Sequence, residues 1–295
     1  MPSVSVIIPT YNRADFLAEA VDSVLGQTWK DLEVIVVDDG STDESQEILR
    51  RYGDRVRFFY QENEGPSSAR NLGASRARGQ FLAFLDSDDV WEPNKLDAQM
   101  AFLRSHPDVR MVCCGGYVLG KSRRRRTPIA RDLSGDLFLR LYLRSFINTS
   151  SVVLARECFF EVGPFDPMMR TAEDYDFWLR VAHRFRIGYL KAPLVGIRKH
   201  SDELSRNKVE LRRNAIRVIE RHFDKDRVPG VVYRRRLADL HVYLGRGYRR
   251  IGDFRAARAA FRQAMHLAPF RLRPIRYYLG TFVVTSQQRG GLKKP

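Results

Sequence analysis

The chain has 295 residues, 44% hydrophobic and 29% charged, which is the balance of a globular protein with room for one large core or two smaller ones. Its net charge of +16 is unevenly placed: residues 1–205 carry 28 Lys and Arg against 29 Asp and Glu (−1), and residues 206–295 carry 23 against 6 (+17). Three cysteines exclude a disulfide framework or a zinc site, and no apolar run has the length of a membrane span.

Strand and helix patterns alternate over the first 90 residues. VSVIIP (4–9) has the length of a buried strand, and ADFLAEAVDSVLGQ (14–27) puts Phe16, Leu17, Ala20, Val21, Val24 and Leu25 on one helical face. LEVIVVDD (32–39) is a second strand. TDESQEILRRY (42–52) is a second helix, capped by Ser41 or Thr42. RVRFFYQ (55–61), SSARNLGASRA (67–77) and QFLAFLD (80–86) continue the order strand, helix, strand. Such alternation predicts βαβ units and an α/β fold with a mainly parallel sheet flanked by helices. A helix over 92–105 and a strand near 109–114 follow. GKSRRRRTPIARD (120–132) then reads as a surface loop. SSVVLA (150–155) is strand-like, RECFFEVGPFD a short helix and turn, and EDYDFWLRVAHRF (173–185) an amphipathic helix. IGYL and APLVGIRKH close the unit as two short strands.

The strongest chemical signal is FLAFLDSDD (81–89), an apolar strand ending in Asp86, Asp88 and Asp89. Ligands of open α/β sheets sit at the carboxyl ends of the strands. Three carboxylates there repel one another unless a positive partner joins them. Hard oxygen ligands suit Mg²⁺ or Mn²⁺, which bring phosphates with them. The same run also suits a helix start, with Ser87 or Asp88 as cap and Asp89 in the first turn. The other strand ends carry Pro9-Thr10-Tyr11-Asn12, Asp38-Asp39-Gly40-Ser41 and Asn63-Glu64-Gly65-Pro66, the last leading to Arg70. Tyr11 could wall a planar base and Asp39 accept from its ring N–H. Arg70 could meet base or phosphate, and Asp38 is expected to hold its turn. Neither a P-loop nor a dinucleotide fingerprint is present.

VSVIIPTYNR, VIVVDDGSTD, NEGPSSARN, FLAFLDSDD, EDYDFWLR and RKHSDELS, in this order, resemble the family 2 glycosyltransferases of GT-A fold over roughly residues 3–205. The resemblance implies that Tyr11 and Asp39 hold the nucleotide base, within a donor set of Pro9, Thr10, Tyr11, Asp39, Arg70, Asp86 and Ser87. It implies that Asp86 and Asp88 hold ribose and a diphosphate-bound Mn²⁺ or Mg²⁺, with His200 as a further ligand. Asp174 would be the general base, Glu173 the fallback, and Asp176 would face elsewhere. Read without the family, Glu173, Asp174 and Asp176 are acids complementing a helix dipole, and Arg198 is a solvated charge. The implied reaction moves a sugar from a nucleotide diphosphate, a UDP-sugar, to an acceptor hydroxyl with inversion, in envelope polysaccharide or glycolipid synthesis.

Residues 206–295 are expected to form a basic helical region. One window, about 238–270, has tetratricopeptide spacing at Leu244-Gly245, Tyr248, Ala257, Phe261, Ala264 and Pro269, with GDF at 252–254 as the turn. Its charge suits an anionic membrane surface, while no recognition motif points to nucleic acid. Pro2 and Ser3 run straight into a strand, so no signal peptide is expected and the location reads as cytoplasmic, peripheral at the inner membrane face. Two rivals remain. A sugar nucleotidyltransferase gives no reason for EDYDFWLR, and the intact acid clusters argue against a non-catalytic docking module.

Overall fold

The structure, a computed structural model, describes residues 2–120, 125–126, 133–199 and 207–289, with side chains described for 2–120, 133–199 and 207–282. It divides into two compact units, Met1–Ser201 and Asp202–Pro295.

The first unit begins with β1 (Val4–Thr10), α1 (Ala14–Leu25), β2 (Leu32–Asp38) and α2 (Ser45–Arg50). β3 (Arg57–Tyr60), α3 (Pro66–Arg76) and β4 (Phe81–Phe84) follow. Next come β5 (Val90–Trp91), α4 (Lys95–Ser105), β6 (Val109–Val118), β7 (Arg125–Arg126), β8 (Leu133–Gly135) and α5 (Phe138–Leu143). β9 (Val153–Ala155), α6 (Arg156–Val162), α7 (Glu173–Arg184) and β10 (Arg186–Ile197) complete the unit. One sheet runs β3-β2-β1-β4-β9-β6-β10-β5, with β7 on β6 and β8 on β10. β1 pairs parallel with β2 and β4, and β2 with β3, so their carboxyl ends lie along one edge. β9 is antiparallel to both β4 and β6, while β6 and β10 run parallel.

Alternate residues of β1 serve two cores. Val4, Val6 and Ile8 pack with Val34 and Val36 of β2, Leu17, Val21 and Val24 of α1, and Leu96 and Met100 of α4. On the other face, Phe84 meets Phe165 edge-on at 5.5 Å and lies 6.5 Å from Trp178, and Phe165 stacks on Phe177 at 4.2 Å. These rings seat α7 against the sheet. α3 approaches the same face closely: a Cβ on Gly73 would lie 2.5 Å from Ile7 Cγ2.

Several boundaries differ from the sequence reading. The helix expected over 92–105 starts at Lys95, because Val90 and Trp91 pair antiparallel with Gly196 and Val195 of β10. Ser87, Asp88 and Asp89 therefore neither cap nor begin that helix; its N-cap position is Asn94. α2 begins at Ser45 rather than after Ser41 or Thr42. Asp43 holds this start, its Oδ1 accepting from Ser45 N at 3.1 Å and its Oδ2 from Ala14 N at 2.9 Å. The two short strands expected at 187–200 are one long β10, bent by register shifts against β6 around Pro193. Within the arginine-rich loop, 125–126 pair with β6, and the rest of 121–132 lies outside the described residues.

The second unit consists of α8 (Lys208–Arg221), α9 (Gly230–Arg250), α10 (Phe254–Leu267) and α11 (Leu272–Arg289). α9 and α10 form a hairpin over Gly252 (φ 83°), and Asp253 caps α10 by accepting from Ala256 N at 2.9 Å. The small residues of the tetratricopeptide window let the pair close up: a Cβ on Gly245 would lie 2.5 Å from Phe261 Cε1. Tyr248, Ala257, Phe261 and Ala264 are buried there.

Candidate functional site

Three loops meet at the carboxyl ends of β1, β2 and β3. Asn12, in the left-handed region at φ 50°, stitches the first two together. Its N–H donates to Ser41 Oγ at 2.9 Å and its Oδ1 accepts from Thr42 N at 2.8 Å. Tyr11 beside it is 45% exposed, whereas Thr10 is buried and its carbonyl accepts from Asp39 N at 2.8 Å. Pro9 is a buried residue of β1 in register with Val37. Asp38 closes its turn by accepting from Ser41 N at 2.9 Å. Asp39 does more than the sequence suggests. Its buried Oδ1 accepts from Gln61 Nε2 at 2.7 Å and Glu64 N at 2.9 Å, and its Oδ2 from Gly65 N at 2.9 Å. Gly65 (φ 93°) and Pro66 then launch α3. Asp39 thus clamps the third loop, and Oδ2 retains a lone pair for one more donor.

The acid turn after β4 rests on Ser150. Its Oγ accepts from Asp86 N at 3.1 Å and donates to Asp89 Oδ2 at 2.7 Å, while its carbonyl accepts from Trp91 Nε1 at 2.7 Å. Asp89 Oδ1 also accepts from Arg198 N at 3.1 Å, and Arg198 Nε donates to Asp88 O at 3.0 Å. Arg198 reaches on to Glu19 and packs 4.8 Å from the Phe16 ring, so it is a brace rather than a solvated charge. Burial, and then the charges of Asp86 and Asp88, push the Asp89 carboxyl well above its ordinary range. Ser87 is buried, Asp88 half-buried, and Asp86 keeps a third of its side chain exposed.

Arg70 ties this turn to the second acid cluster. Nη2 donates to Asp86 Oδ1 at 2.8 Å and Nη1 to Glu173 Oε1 at 3.0 Å, and the guanidinium lies 5.6 Å from the Phe165 ring. Burial opposes its charge, but Asp86 and Glu173 outweigh that and raise its pKa further. Arg70 thereby spans two carboxylates, where the sequence offered only base or phosphate. Ala172, immediately before Glu173, holds the left-handed φ of 62°, which costs a non-glycine residue about 1 kcal/mol. Asp174 is half-buried and accepts from Tyr175 N at 2.7 Å. Burial, then Glu173, push its carboxyl up to about 7, with Asp86 adding to the rise while Arg70 and the Tyr175 N–H pull the other way. Asp176 instead bonds Arg180 Nε at 3.0 Å, and Arg180 ties it to the carbonyls of Val162, Gly163 and Pro164.

Among the described residues, no three Asp, Glu, His or Cys side chains converge as a self-sufficient metal cage. Asp86 and Asp88 nonetheless fit a hard divalent cation that takes one or two carboxylates and fills its shell with phosphate and water. After the larger effect of burial, the charges of Asp86 and Asp88 both act on the Asp89 carboxyl, so they lie together in this turn. His200 lies outside the described residues. Sequence reading missed Ser150, which sat in a strand-like run, and the bracing roles of Asp89 and Arg198. Asn148-Thr149-Ser150-Ser151 is a turn signal that could have marked Ser150: Asn148 Oδ1 accepts from Ser150 N at 2.9 Å, forming a short 3-10 turn. Ser150→Ala strips partners from Asp86 N and buried Asp89. It is expected to cost about 1–3 kcal/mol in urea unfolding, and an unchanged stability contradicts that role.

Residues 5–174 match the family described as Glycosyl transferase family 2, a span that ends on Asp174. An uncharacterized glycosyltransferase of Rickettsia felis is 35% identical over 213 residues, covering 70% of this chain and 35% of its own length. The chain thus spans about a third of that relative. Bacillus subtilis TuaG, whose name assigns it provisionally to teichuronic acid biosynthesis, is 33% identical over 221 residues, covering 70% of this chain and 83% of its own. S. aureus TarS 1-349, solved also with UDP and with UDP-GlcNAc, superposes at TM-score 0.71 with 19% identity, over all of this chain and 93% of its own. A Pyrobaculum calidifontis mannosyltransferase in complex with GDP-Man and Mn²⁺ superposes at 0.62 with 20% identity, over 96% of this chain and 81% of its own. These likenesses agree with the GT-A architecture built above, and the chain belongs to glycosyl transferase family 2.

Proposed function

We propose that the chain transfers a sugar from a UDP-sugar to an acceptor hydroxyl with inversion. The observation that carries this reading is the Asp86–Arg70–Glu173 bridge, which puts Asp174, a carboxyl pushed up to about 7, beside the acid turn at the strand ends. A carboxylate of that basicity suits proton acceptance near neutrality. Tyr11 and the free lone pair of Asp39 bind the base, with Pro9 and Thr10 shaping the loop. Asp86 and Ser87 hold the ribose side of the donor, and Asp86 with Asp88 hold a Mn²⁺ or Mg²⁺ ion. When bound, the ion supplies Lewis acidity to the departing diphosphate. The acceptor hydroxyl gives its proton to Asp174 as its oxygen bonds the anomeric carbon. The bond from that carbon to the phosphate oxygen breaks, and the diphosphate leaves with the electron pair. One displacement from the opposite face inverts the centre. Similarity to TuaG supports a saccharide or lipid-linked acceptor of the cell envelope.

A panel of nucleotide sugars assayed for slow hydrolysis, with and without Mn²⁺, tests the proposal. UDP-sugars are expected to release UDP only with the ion present. Release of pyrophosphate, or no donor accepted in any condition, would overturn it.

A further inference from the structure

α11 carries apolar side chains on two sides. One is packed: Pro274 and Thr281 are buried and Tyr277 stacks on Phe261 at 5.8 Å. On the other, Leu272 is 80% exposed and Leu279, seven residues on and so on the same stripe, is 58% exposed. Phe270, in the turn that enters the helix, is 99% exposed. Exposed Arg273 and Arg276 border these side chains. The fringe is fixed in place: Arg271 Nη1 bonds Asp239 Oδ1 at 2.6 Å, and Arg273 lies 5.5 Å from the Tyr243 ring. From Phe254 to Pro295 the sequence holds nine Lys and Arg and no Asp or Glu.

We infer that this face docks on an anionic lipid surface, with Phe270, Leu272 and Leu279 entering the boundary between headgroups and acyl chains. The arginines meet lipid phosphates. An apolar stripe fringed by arginine is the chemistry of an in-plane interfacial helix, and a surface with this charge is drawn to anionic leaflets. Charge also sets this occupant above a second copy of the chain, since two such faces would oppose cation to cation, and Asp239, the acid beside them, is already bonded to Arg271. Among the described residues no helix is long and apolar enough to cross a membrane, so the contact is one of lying on the surface.

Co-sedimentation of the full chain with phosphatidylcholine vesicles, with and without phosphatidylglycerol, tests the inference in the absence of any donor. It therefore stands or falls apart from the transfer reaction. Binding is expected only with phosphatidylglycerol and is expected to weaken as salt rises. Leu272→Glu with Leu279→Glu should lower vesicle affinity at least about tenfold, while UDP release from a soluble donor holds. Leu272→Ser with Leu279→Ser, checked by circular dichroism, should weaken binding in the same direction. Equal binding to both vesicle types, full binding by the folded variants, or a dimer in light scattering that Leu279→Glu dissolves would each overturn it.

Discussion

Asp174→Asn is expected to lower kcat by about 10²–10⁴-fold, the range for loss of a positioned base, with its thermal midpoint near that of the parent. The fold should tolerate the change, because burial and Glu173 already disfavour the charge that Asn removes. The pH profile carries the same assignment. A base works deprotonated, so activity should climb as pH rises through about 7, the value to which the carboxyl is pushed. Glu173→Gln removes the like charge that ranks next after burial, so Asp174 titrates lower and the rising limb moves to more acid pH. The glutamine oxygen can still accept from Arg70, which separates this shift from loss of the bridge. A limb that stays put in Glu173→Gln, or turnover that survives Asp174→Asn, would place the proton elsewhere.

The second large effect is on stability. Arg70→Met leaves Glu173, buried, and Asp86, partly exposed, without their cation. Removing one partner from a buried pair costs 3–5 kcal/mol in general; with Asp86 a third exposed to solvent, the lower end, about 3 kcal/mol, applies. Urea unfolding at neutral pH should show that deficit. Arg70→Lys should fall between, since one ammonium cannot span two carboxylates in fixed geometry. A stability within about 0.5 kcal/mol of the parent for Arg70→Met contradicts this account of the bridge.

What could be read from the sequence follows from the range of the interactions. β1, β2 and β4 are local apolar runs, and α1 and α7 keep a helical period, so strands alternating with helices were legible. The helical character of the C-terminal region was equally local, with small residues lying where α9 and α10 approach. β5 escaped because two residues make no pattern; only pairing with β10, more than a hundred residues away, defines it. Asp89 was read as a helix start for the same reason. Its partners, Ser150 and Arg198, are 61 and 109 residues distant, and no spacing rule connects them. Arg70 was legible as a cation near the site, but its two carboxylates arrive from β4 and α7, which only the sheet and the aromatic cluster bring together.

The claim that the two acid clusters divide the work is tested most directly by calorimetric titration of UDP, with and without Mn²⁺, into Asp88→Ala and Asp174→Asn. Asp88→Ala is expected to lose the metal-dependent part of UDP binding, and Asp174→Asn to keep it in full while failing to turn over a UDP-sugar. Metal-dependent binding that persists in Asp88→Ala, or that disappears in Asp174→Asn, would contradict the division between a donor-holding and a proton-accepting cluster.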